Sequence, residues 1–315
     1  MIRAAAAVAA MAALFAFPEW ASGIEGSRYA ETIVRDMLVF AVYALSLDLL
    51  IGRAGMPSLG HAAFFGSGAY AAAIASSRFG TDELAVSLVA AIAVASILAT
   101  AIGLLSVRAS GIFFLMLTLA FAQMAFAVAF QWNDVTGGSN GFSGVRRPTL
   151  AGMDLSAPDT YYRTVVVAFA LVVALVWWIA RSHYGRALAG VRENERRMRA
   201  LGYDTARIKL SVFVLAGALA AVAGALSAWS FRFVATSDVG LGRSVEGFVM
   251  VLIGGAGSIL GPIIGAAAVL YIDRVLSSAV PYSQTVLGVV FIVFVLAARQ
   301  GIVGLARAAA VRVRR

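Results

Sequence analysis

Few residues in this sequence are of the types that usually carry out catalysis. The chain has two histidines, His61 and His183, and no cysteine. Neither histidine belongs to a His-Glu-X-X-His pattern, so a zinc hydrolase is not indicated, and a chain without cysteine has no thiolate metal site. We therefore expect that this chain is not itself an enzyme and that it needs no metal or other cofactor.

A glycine-rich stretch, TGGSNGFSG at 136–144, is the next candidate for chemistry, because backbone amides in such loops can hold phosphate groups. A P-loop, however, continues with Gly-Lys-Ser or Gly-Lys-Thr, and this stretch does not. Nucleotide hydrolysis by this chain is therefore not indicated.

The most concentrated charge lies in VRENERRMRALG, residues 191–202. Six of the eight residues at 192–199 are charged, although charged residues make up only 13% of the chain. Glu193 and Glu195 each precede an arginine by four positions, an order that stabilises a helix by about 0.2–0.5 kcal/mol per pair. The spacing therefore predicts one short helix over 184–203.

The predicted helix also has an apolar stripe and defined ends. The stripe consists of Leu188, Val191, Met198 and Leu201. Gly202 can adopt the left-handed conformation that ends a helix, and Asp204 or Thr205 can cap the next one. A loop that only set orientation in a membrane would need the arginines but neither paired glutamates nor a stripe. A helix that docks on a protein is therefore favoured over a simple positively charged loop.

The rest of the chain predicts that this charged helix lies between membrane spans. Hydrophobic residues make up 61% of the chain, whereas about a quarter of the residues in a soluble domain are charged. Charge-free runs at 84–107, 109–133 and 210–231 are each long enough for the roughly 20 residues that cross a bilayer as a helix. Lipid offers no partner for backbone amides, so helices are the expected spanning form. We predict an all-α polytopic membrane protein.

Arginine is concentrated in two segments, 181–209 and 298–315, and the positive-inside rule places both in the cytoplasm. The same rule explains the net charge of +9 without nucleic-acid binding. Assigning spans outward from these two cytoplasmic segments gives about ten membrane segments with both termini inside. They are 4–18, 33–51, 58–77, 84–106, 111–131, 163–180, 210–230, 245–256, 259–276 and 282–298. The first also has features of a secretory signal, but a retained span is favoured because further spans follow.

Two predicted segments, 53–70 and 245–276, are interrupted by glycine and proline. Irregular backbone at membrane depth is tolerated only where protein or a water-filled cavity lines it, and interrupted helices are common at transport sites. We predict that both line a translocation pathway or its gate, with close helix packing through small residues as the alternative. The candidate pathway residues are His61, Gly66, Gly68, Gly254, Gly255 and Gly261.

Ionisable groups in mid-membrane would favour a carrier driven by an ion gradient. Asp48 is the one acidic candidate, but it lies near the predicted inner end, and Arg53 follows as a partner for pairing. Asp273 and Arg274 are expected to pair near the outer end of their helix. We therefore expect no charged pair deep in the membrane.

Four segments together resemble the permease subunits of branched-chain amino-acid ABC importers of the Leu/Ile/Val type. They are SLGHAAFFGSGAYAAA at 58–73, TGGSNGFSG at 136–144, the long segment 181–226 that begins RSHYGRALAGVRENERRMRALG, and GGAGSILGPIIGA at 254–266. Their order and spacing match that family, so the resemblance covers nearly the whole chain. The family usually has asparagine where this chain has Asp48, and it rarely has proline at the position of Pro57.

The resemblance implies a single transmembrane permease domain over 1–315, in the bacterial cytoplasmic (inner) membrane, with a cytoplasmic coupling helix near 184–203. The implied partners are a second related permease subunit, two ATPase subunits, an extracytoplasmic substrate-binding protein and the lipid bilayer, but no nucleic acid. We expect specificity to reside mainly in the binding protein. The implied ATPase-coupling residues are Gly185, Arg192, Glu193, Asn194, Glu195, Arg196 and Gly202.

Two other functions stay open on sequence grounds. An ion-coupled secondary transporter of small polar solutes would take up its substrate without other subunits, and a structural membrane scaffold would not affect uptake. An ABC permease, in contrast, requires its ATPase and binding protein. The substrate also stays open among branched-chain amino acids, other amino acids, urea and short amides.

Reporter domains fused to the loops test the predicted topology. Fusions at Arg53, Ser182 and Arg315 should report a cytoplasmic location, and a fusion at Asn140 should report the outside, because the arginine-rich segments stay in the cytoplasm. The measurement is the activity of paired reporters that work on opposite sides of the membrane. A cytoplasmic signal from the Asn140 fusion would overturn the topology.

Overall fold

The structure, a computed structural model, describes residues 2–21, 27–78, 83–150 and 152–279, together with 285, 288–289 and 301–304. Twelve α-helices account for most of this part of the chain. They are α1 (Ile2–Phe15), α2 (Phe17–Ala21), α3 (Ser27–Asp48), α4 (His61–Arg78), α5 (Leu84–Ser106), α6 (Ile112–Gln131), α7 (Asn133–Thr136), α8 (Pro158–Arg181), α9 (His183–Ala200), α10 (Thr205–Phe231), α11 (Leu241–Gly254) and α12 (Leu260–Ala279).

The remaining regular elements are short. A π-helical turn, Leu49–Ala54, continues α3, and 3₁₀ turns lie at Gly138–Asn140 and Thr236–Val239. Four two-residue strands form two antiparallel pairs. They are β1 (Phe142–Ser143), β2 (Thr149–Leu150), β3 (Met153–Asp154) and β4 (Phe233–Val234), with β1 paired to β4 and β2 paired to β3.

The helices form an inner and an outer layer. In the most apolar stretch of each span, 83% of the residues of α3 and 67% of those of α10 are buried, against 28% for α5, 22% for α6 and 33% for α8. The centre is filled by large side chains such as Trp229, Tyr43 and Phe64, which are almost fully buried. The apolar residues of the outer helices are therefore left to face lipid or another subunit.

Small residues bring α4 and α10 close together at the centre. A Cβ atom on Gly68 would lie 2.5 Å from the Cα of Ala221, and one on Gly224 would lie 2.0 Å from the carbonyl oxygen of Phe65. Helices approach this closely only where side chains are absent, which is the packing mode typical of membrane helices. The sequence pattern of small residues in these two helices is thus a packing signal.

The bundle has two distinct ends. At one, which we call the loop end, residues 132–157 cover the helix termini. There Arg78 donates to the carbonyl oxygen of Asp134 at 2.6 Å, and Arg147 donates to that of Trp229 at 3.0 Å. At the other, which we call the α9 end, α9 packs against α8, α10 and the π-helical turn. The loop-end contacts give Arg147, which is on the outer side in the predicted topology, a structural role.

Helix α11 is discontinuous with the helices before and after it. After α10 ends at the loop end, residues 232–240 run back alongside α4 without forming an α-helix, and Val239 reaches the backbone of Gly66. Only then does α11 begin, and its 14 residues end at Gly254 near the α9 end. The interruption predicted within 245–276 is therefore confirmed, and a second one precedes it.

The all-α architecture is confirmed, whereas the number of ten membrane segments is not. Helices occupy nine of the predicted segments, and the tenth, 282–298, lies outside the described residues apart from three positions. Five described helical segments are long and apolar enough to cross a membrane. They are Ser27–Ala54, Leu84–Ser106, Ile112–Gln131, Pro158–Arg181 and Thr205–Phe231.

The contact between α4 and α10 predicts a large loss of stability on substitution of Gly68. Gly68→Val should destabilise the protein by about 1–3 kcal/mol or more, because the new side chain meets backbone rather than a movable side chain. Ala71→Val is the matched control, since Ala71 lies on the same helix beside an open groove. The fraction that stays monodisperse in detergent after heating measures the effect. Equal losses for the two variants would contradict the packing account.

Candidate functional site

The charged segment forms α9, but the helix is broken rather than continuous. Ser182 caps its start, with Oγ accepting from the amide of Gly185 at 3.1 Å. Asn194 has non-helical torsions, φ −157° and ψ 93°, and its Oδ1 accepts from the amide of Arg197 at 2.9 Å. Asparagine at this position therefore caps a second short piece. The prediction of one continuous helix over 184–203 is wrong in this respect.

The break decides which predicted ion pairs form. Glu195 and Arg199 lie on the same side of it and pair at 2.7 Å. Glu193 and Arg197 lie on opposite sides, and the described residues show no ion pair between them. Gly202 follows with φ +87°, and Asp204 caps α10 by accepting from the amide of Arg207, so both predicted helix ends are confirmed.

Glu195 attaches the second piece of α9 to α10. Its Oε2 lies 2.6 Å from the Nζ of Lys209, and its Oε1 accepts from the hydroxyl of Thr205 at 3.1 Å. Partial burial acts to raise the pKa of Glu195, but the hydrogen bonds from Lys209 and Arg199 outweigh it and hold the pKa below its ordinary value. The carboxylate of Glu195 is therefore charged, and its contacts are with residues of its own chain.

Arg192 attaches the first piece of α9 to the π-helical turn. Its Nη1 donates to the carbonyl oxygen of Gly52. The aliphatic part of the same side chain packs on Gly55, where an added Cβ would lie 2.9 Å from the Cγ of Arg192. Although Arg192 is exposed overall, its guanidinium points into the protein.

The same π-helical turn contacts the link between α11 and α12. Asp48 is fully buried, and its Oδ1 accepts from the amide of Gly257 at 2.7 Å. A Cβ on Gly52 would lie 2.2 Å from both of these atoms. Asp48 thus accepts a hydrogen bond from the Gly257 amide. The sequence had suggested an ion pair between Asp48 and Arg53, and this pair is not formed. Asp48, Gly52, Arg192 and Gly257, which we call the α9 junction, join three segments within one small region.

The other predicted coupling residues differ in exposure. Glu193 and Arg196 are exposed, and no described residue makes an ion pair with either. Gly185 lies at the tight crossing from α8 to α9, because its added Cβ would be 2.2 Å from the carbonyl oxygen of Ile179. The outward charge of α9 is therefore carried by Glu193, Arg196 and Arg197.

The predicted pathway residues lie at close helix contacts. His61 is fully buried, with Nε2 2.7 Å from the hydroxyl of Ser46, and its Nδ1 has no hydrogen-bond partner among the described residues. Gly66 contacts the backbone of Val239, and Gly68 contacts α10. Tight packing at these positions is what the structure shows, and their place in a pathway stays a prediction.

Gly254, Gly255 and Gly261 form the crossing between α11 and α12. A Cβ on Gly254 would lie 1.8 Å from the carbonyl oxygen of Gly261, and one on Gly261 would lie 2.2 Å from that of Gly255. The structure therefore brings these three residues together, beside the α9 junction. It does not bring them next to His61.

Sequence reasoning missed a charged triad formed by Asp238, Arg243 and Glu246. Arg243 lies 2.8 Å from Asp238 and 2.6 Å from Glu246, measured between nitrogen and carboxylate oxygen. The guanidinium also lies over the ring of Phe40, at the midpoint of the span Ser27–Ala54. The triad thus lies beside the middle of a candidate membrane span, where no charged pair was expected. The i, i+3 spacing of Arg243 and Glu246 indicates an ion pair within one helix. The predicted span began at residue 245, between these two residues, and so the pair was not recognised.

A second correction concerns Arg274. Its Nη2 lies 2.7 Å from the Oδ2 of Asp36, a buried carboxylate on α3 that also accepts from Ser230 and contacts Arg35. The expected pair between Arg274 and its neighbour Asp273 is not formed. The partner of Arg274 therefore lies across the bundle rather than next to it in the sequence.

One large groove in the described part of the chain is apolar. It lies between α4, α5 and α6, has a volume of about 830 Å³, and includes exposed residues such as Ile97 and Met124. Ser67, Tyr70 and Thr136 are the only residues with side-chain hydroxyls that line it. Such a groove can contact lipid or a subunit but offers little to a charged solute.

Comparison with known proteins gives a matching family model and several similar permease proteins. The family model described as "Branched-chain amino acid transport system / permease component" matches residues 29–297. The high-affinity branched-chain amino acid transport system permease protein LivM of Escherichia coli (strain K12) is 27% identical over 308 residues, covering 89% of this chain and 71% of the relative. The LivM protein of Salmonella typhimurium is 26% identical over the same shares.

A second relative matches about half of the chain. The permease protein LivH of Escherichia coli (strain K12) is 33% identical over 156 residues, covering 48% of this chain and 50% of the relative. No solved structure matches the chain significantly. With the family model covering most of its length, the chain belongs to the family of branched-chain amino acid transport system permease components.

Proposed function

We propose that this chain is the membrane-spanning permease subunit of an ATP-driven ABC importer that carries branched-chain or related amino acids. Membership of the permease family and similarity to LivM over most of both chains support the proposal. They favour it over an ion-coupled secondary transporter of small polar solutes. ATP hydrolysis is then the task of separate subunits, consistent with a sequence that lacks a P-loop.

The observation that carries the proposal is the two-sided character of α9. Its outward face presents Glu193, Arg196 and Arg197, which no described residue neutralises. Its inward face is attached through Arg192 to Gly52 and through Glu195 to Lys209. A helix with a free charged face and fixed attachments to the spans is suited to receive a partner and pass on its movement.

The attachments define what a movement of α9 would reach. Glu195 leads to α10, one of the helices of the inner layer. Arg192 leads to the π-helical turn, where Asp48 holds the amide of Gly257 between α11 and α12. The crossing of α11 and α12 contains Gly254, Gly255 and Gly261, so we assign these glycines to a gate, and His61, Gly66 and Gly68 to the pathway wall above it.

The proposal includes the remaining subunits and the location. We infer a second related permease, two ATPase subunits that dock on α9, and an extracytoplasmic substrate-binding protein. Similarity to both LivM and LivH supports a paired permease. The chain would lie in the bacterial cytoplasmic (inner) membrane with about ten segments and both termini inside, which puts the α9 end on the cytoplasmic side.

Charge reversal on the outward face of α9 tests docking. Arg196→Glu should reduce copurification of the ATPase with the tagged permease by roughly tenfold, because a charge that faces the partner is reversed. Arg108→Glu is the matched control, since Arg108 is exposed at the same end of the bundle but lies outside α9. Undiminished copurification of Arg196→Glu in correctly inserted protein would remove the docking role from this face.

Removal of the inward arginine should have a different effect. Arg192→Ala should leave ATPase copurification unchanged but reduce amino-acid uptake by roughly tenfold, because the attachment of α9 to Gly52 is lost while the outward face is kept. Arg192→Lys can still donate to the carbonyl oxygen and should restore part of the uptake. Uptake and substrate-stimulated ATP hydrolysis are measured together. If Arg192→Ala transports normally, the α9 junction does not transmit movement.

A further inference from the structure

The charged triad of Asp238, Arg243 and Glu246 lies beside the middle of a candidate membrane span. The guanidinium carbon of Arg243 is 4.9 Å from the ring centroid of Phe40, and Phe40 is at the midpoint of the 28-residue span Ser27–Ala54. A second ring, that of Phe65 on α4, lies 5.9 Å away. The triad therefore lies about half-way along that candidate span.

The triad has an excess of one negative charge. Arg243 is the one cation, and it pairs with both carboxylates at 2.6–2.8 Å. Asp238 uses its other oxygen to accept from the amide of Ala235 at 3.0 Å. The second oxygen of Glu246 accepts no hydrogen bond from any residue that the structure describes. Both oxygens of Asp238 thus accept hydrogen bonds, whereas Glu246 keeps one oxygen that accepts none from the described residues.

The triad is open on one side. The side chains of Asp238, Arg243 and Glu246 are 13%, 25% and 27% exposed. Gly242 and Val245 are exposed as well, and with Glu246 they share one face of α11 at helical spacing. Hydrocarbon does not solvate charged groups, and intramembrane charges face the bundle interior or water. The open face of α11 therefore meets water or protein in the assembled membrane.

The excess charge distinguishes these two possibilities. A dry contact with an apolar surface of another subunit would leave one buried carboxylate without compensation, which is strongly unfavourable. Water, or a cationic group that arrives in water, compensates it. The start of α11 at this depth, after the non-helical return of residues 232–240, also matches the broken helices that line pathways in other transporters.

We propose that Asp238, Arg243 and Glu246 line a water-filled passage at mid-membrane and that their net negative charge attracts the ammonium group of a zwitterionic amino acid. This inference rests on the proposed transport function and names the group of the substrate that the passage recognises. The free oxygen of Glu246 is the nearest acceptor for the ammonium group, and Arg243 keeps the carboxylates in place. The site is a position along an open passage rather than a closed pocket, so we do not assign specificity for the substrate side chain to it.

The absence of cysteine from the whole chain makes a direct test possible. Val245→Cys places one thiol on the open face of α11, and Ile97→Cys places one on α5, where the side chain is 71% exposed in a charge-free span. Each variant is expressed as the full chain in native membranes and treated with two water-soluble methanethiosulfonates, one carrying trimethylammonium and one carrying sulfonate. Insertion and uptake of both variants are checked first.

The proposal expects Val245→Cys to react, and to react about tenfold or more faster with the cationic reagent, as charged clefts do with ions of opposite sign. Adding Glu246→Gln to Val245→Cys should abolish most of that preference, because the net charge of the triad becomes zero. Ile97→Cys should stay unmodified by either reagent, since hydrocarbon excludes both.

Three results would overturn the proposal: no reaction of Val245→Cys, equal rates with the two reagents, or reaction of Ile97→Cys at a similar rate. Labelling is measured on the chain itself and does not require an ATPase. Failure of the docking test on Arg196 together with charge-selective labelling would therefore refute the importer and retain the passage, whereas the reverse pattern would retain the importer and refute the passage.

Discussion

The rest of this structure depends on how one stretch of backbone is satisfied away from water. Between the end of α10 and the start of α12, the chain forms no α-helix at 232–240 and again at 255–259. In hydrocarbon, each unpaired amide or carbonyl group is costly, so such backbone must be enclosed by protein. Strand pairing with β1, the carboxylate of Asp48 and the central helices provide that enclosure. The inner layer of α3, α4 and α10 is needed as much for this purpose as for crossing the membrane.

Glycine and alanine make the enclosure possible because they let backbone approach backbone. Val239 reaches α4 at Gly66, and the turn at Gly257 reaches the π-helical turn at Gly52. Larger side chains at these points would push the non-helical segments outward, into lipid. The glycines thus have a packing function that is compatible with a pathway function, since a segment enclosed on one side can be open to water on the other.

The sequence predicted the fold class well and the site in part. Runs without charge and the caps at Gly202 and Asp204 are local signals, and the structure agrees with them. The break at Asn194 was missed because asparagine is tolerated in a helical pattern, and the interruption appears only in the backbone torsions of Asn194 and in its side-chain bond to the amide of Arg197. The triad was missed because membrane depth depends on the non-local return of residues 232–240. Likewise, the partners of Asp48 and Arg274 are more than 200 residues away in sequence, beyond any periodicity argument.

The break at Asn194 has a mechanical consequence. The first piece of α9 carries Arg192 and is attached to the π-helical turn, Leu49–Ala54, whereas the second carries Glu195 and is attached to α10. A force that shifts α9 as a whole displaces both attachments equally and leaves their spacing unchanged. A torque that changes the angle between the two pieces changes the distance between the two attachments, and so moves the π-helical turn relative to α10. Bending at Asn194, rather than displacement of the whole helix, is therefore the movement that would change the distance between the two attachments.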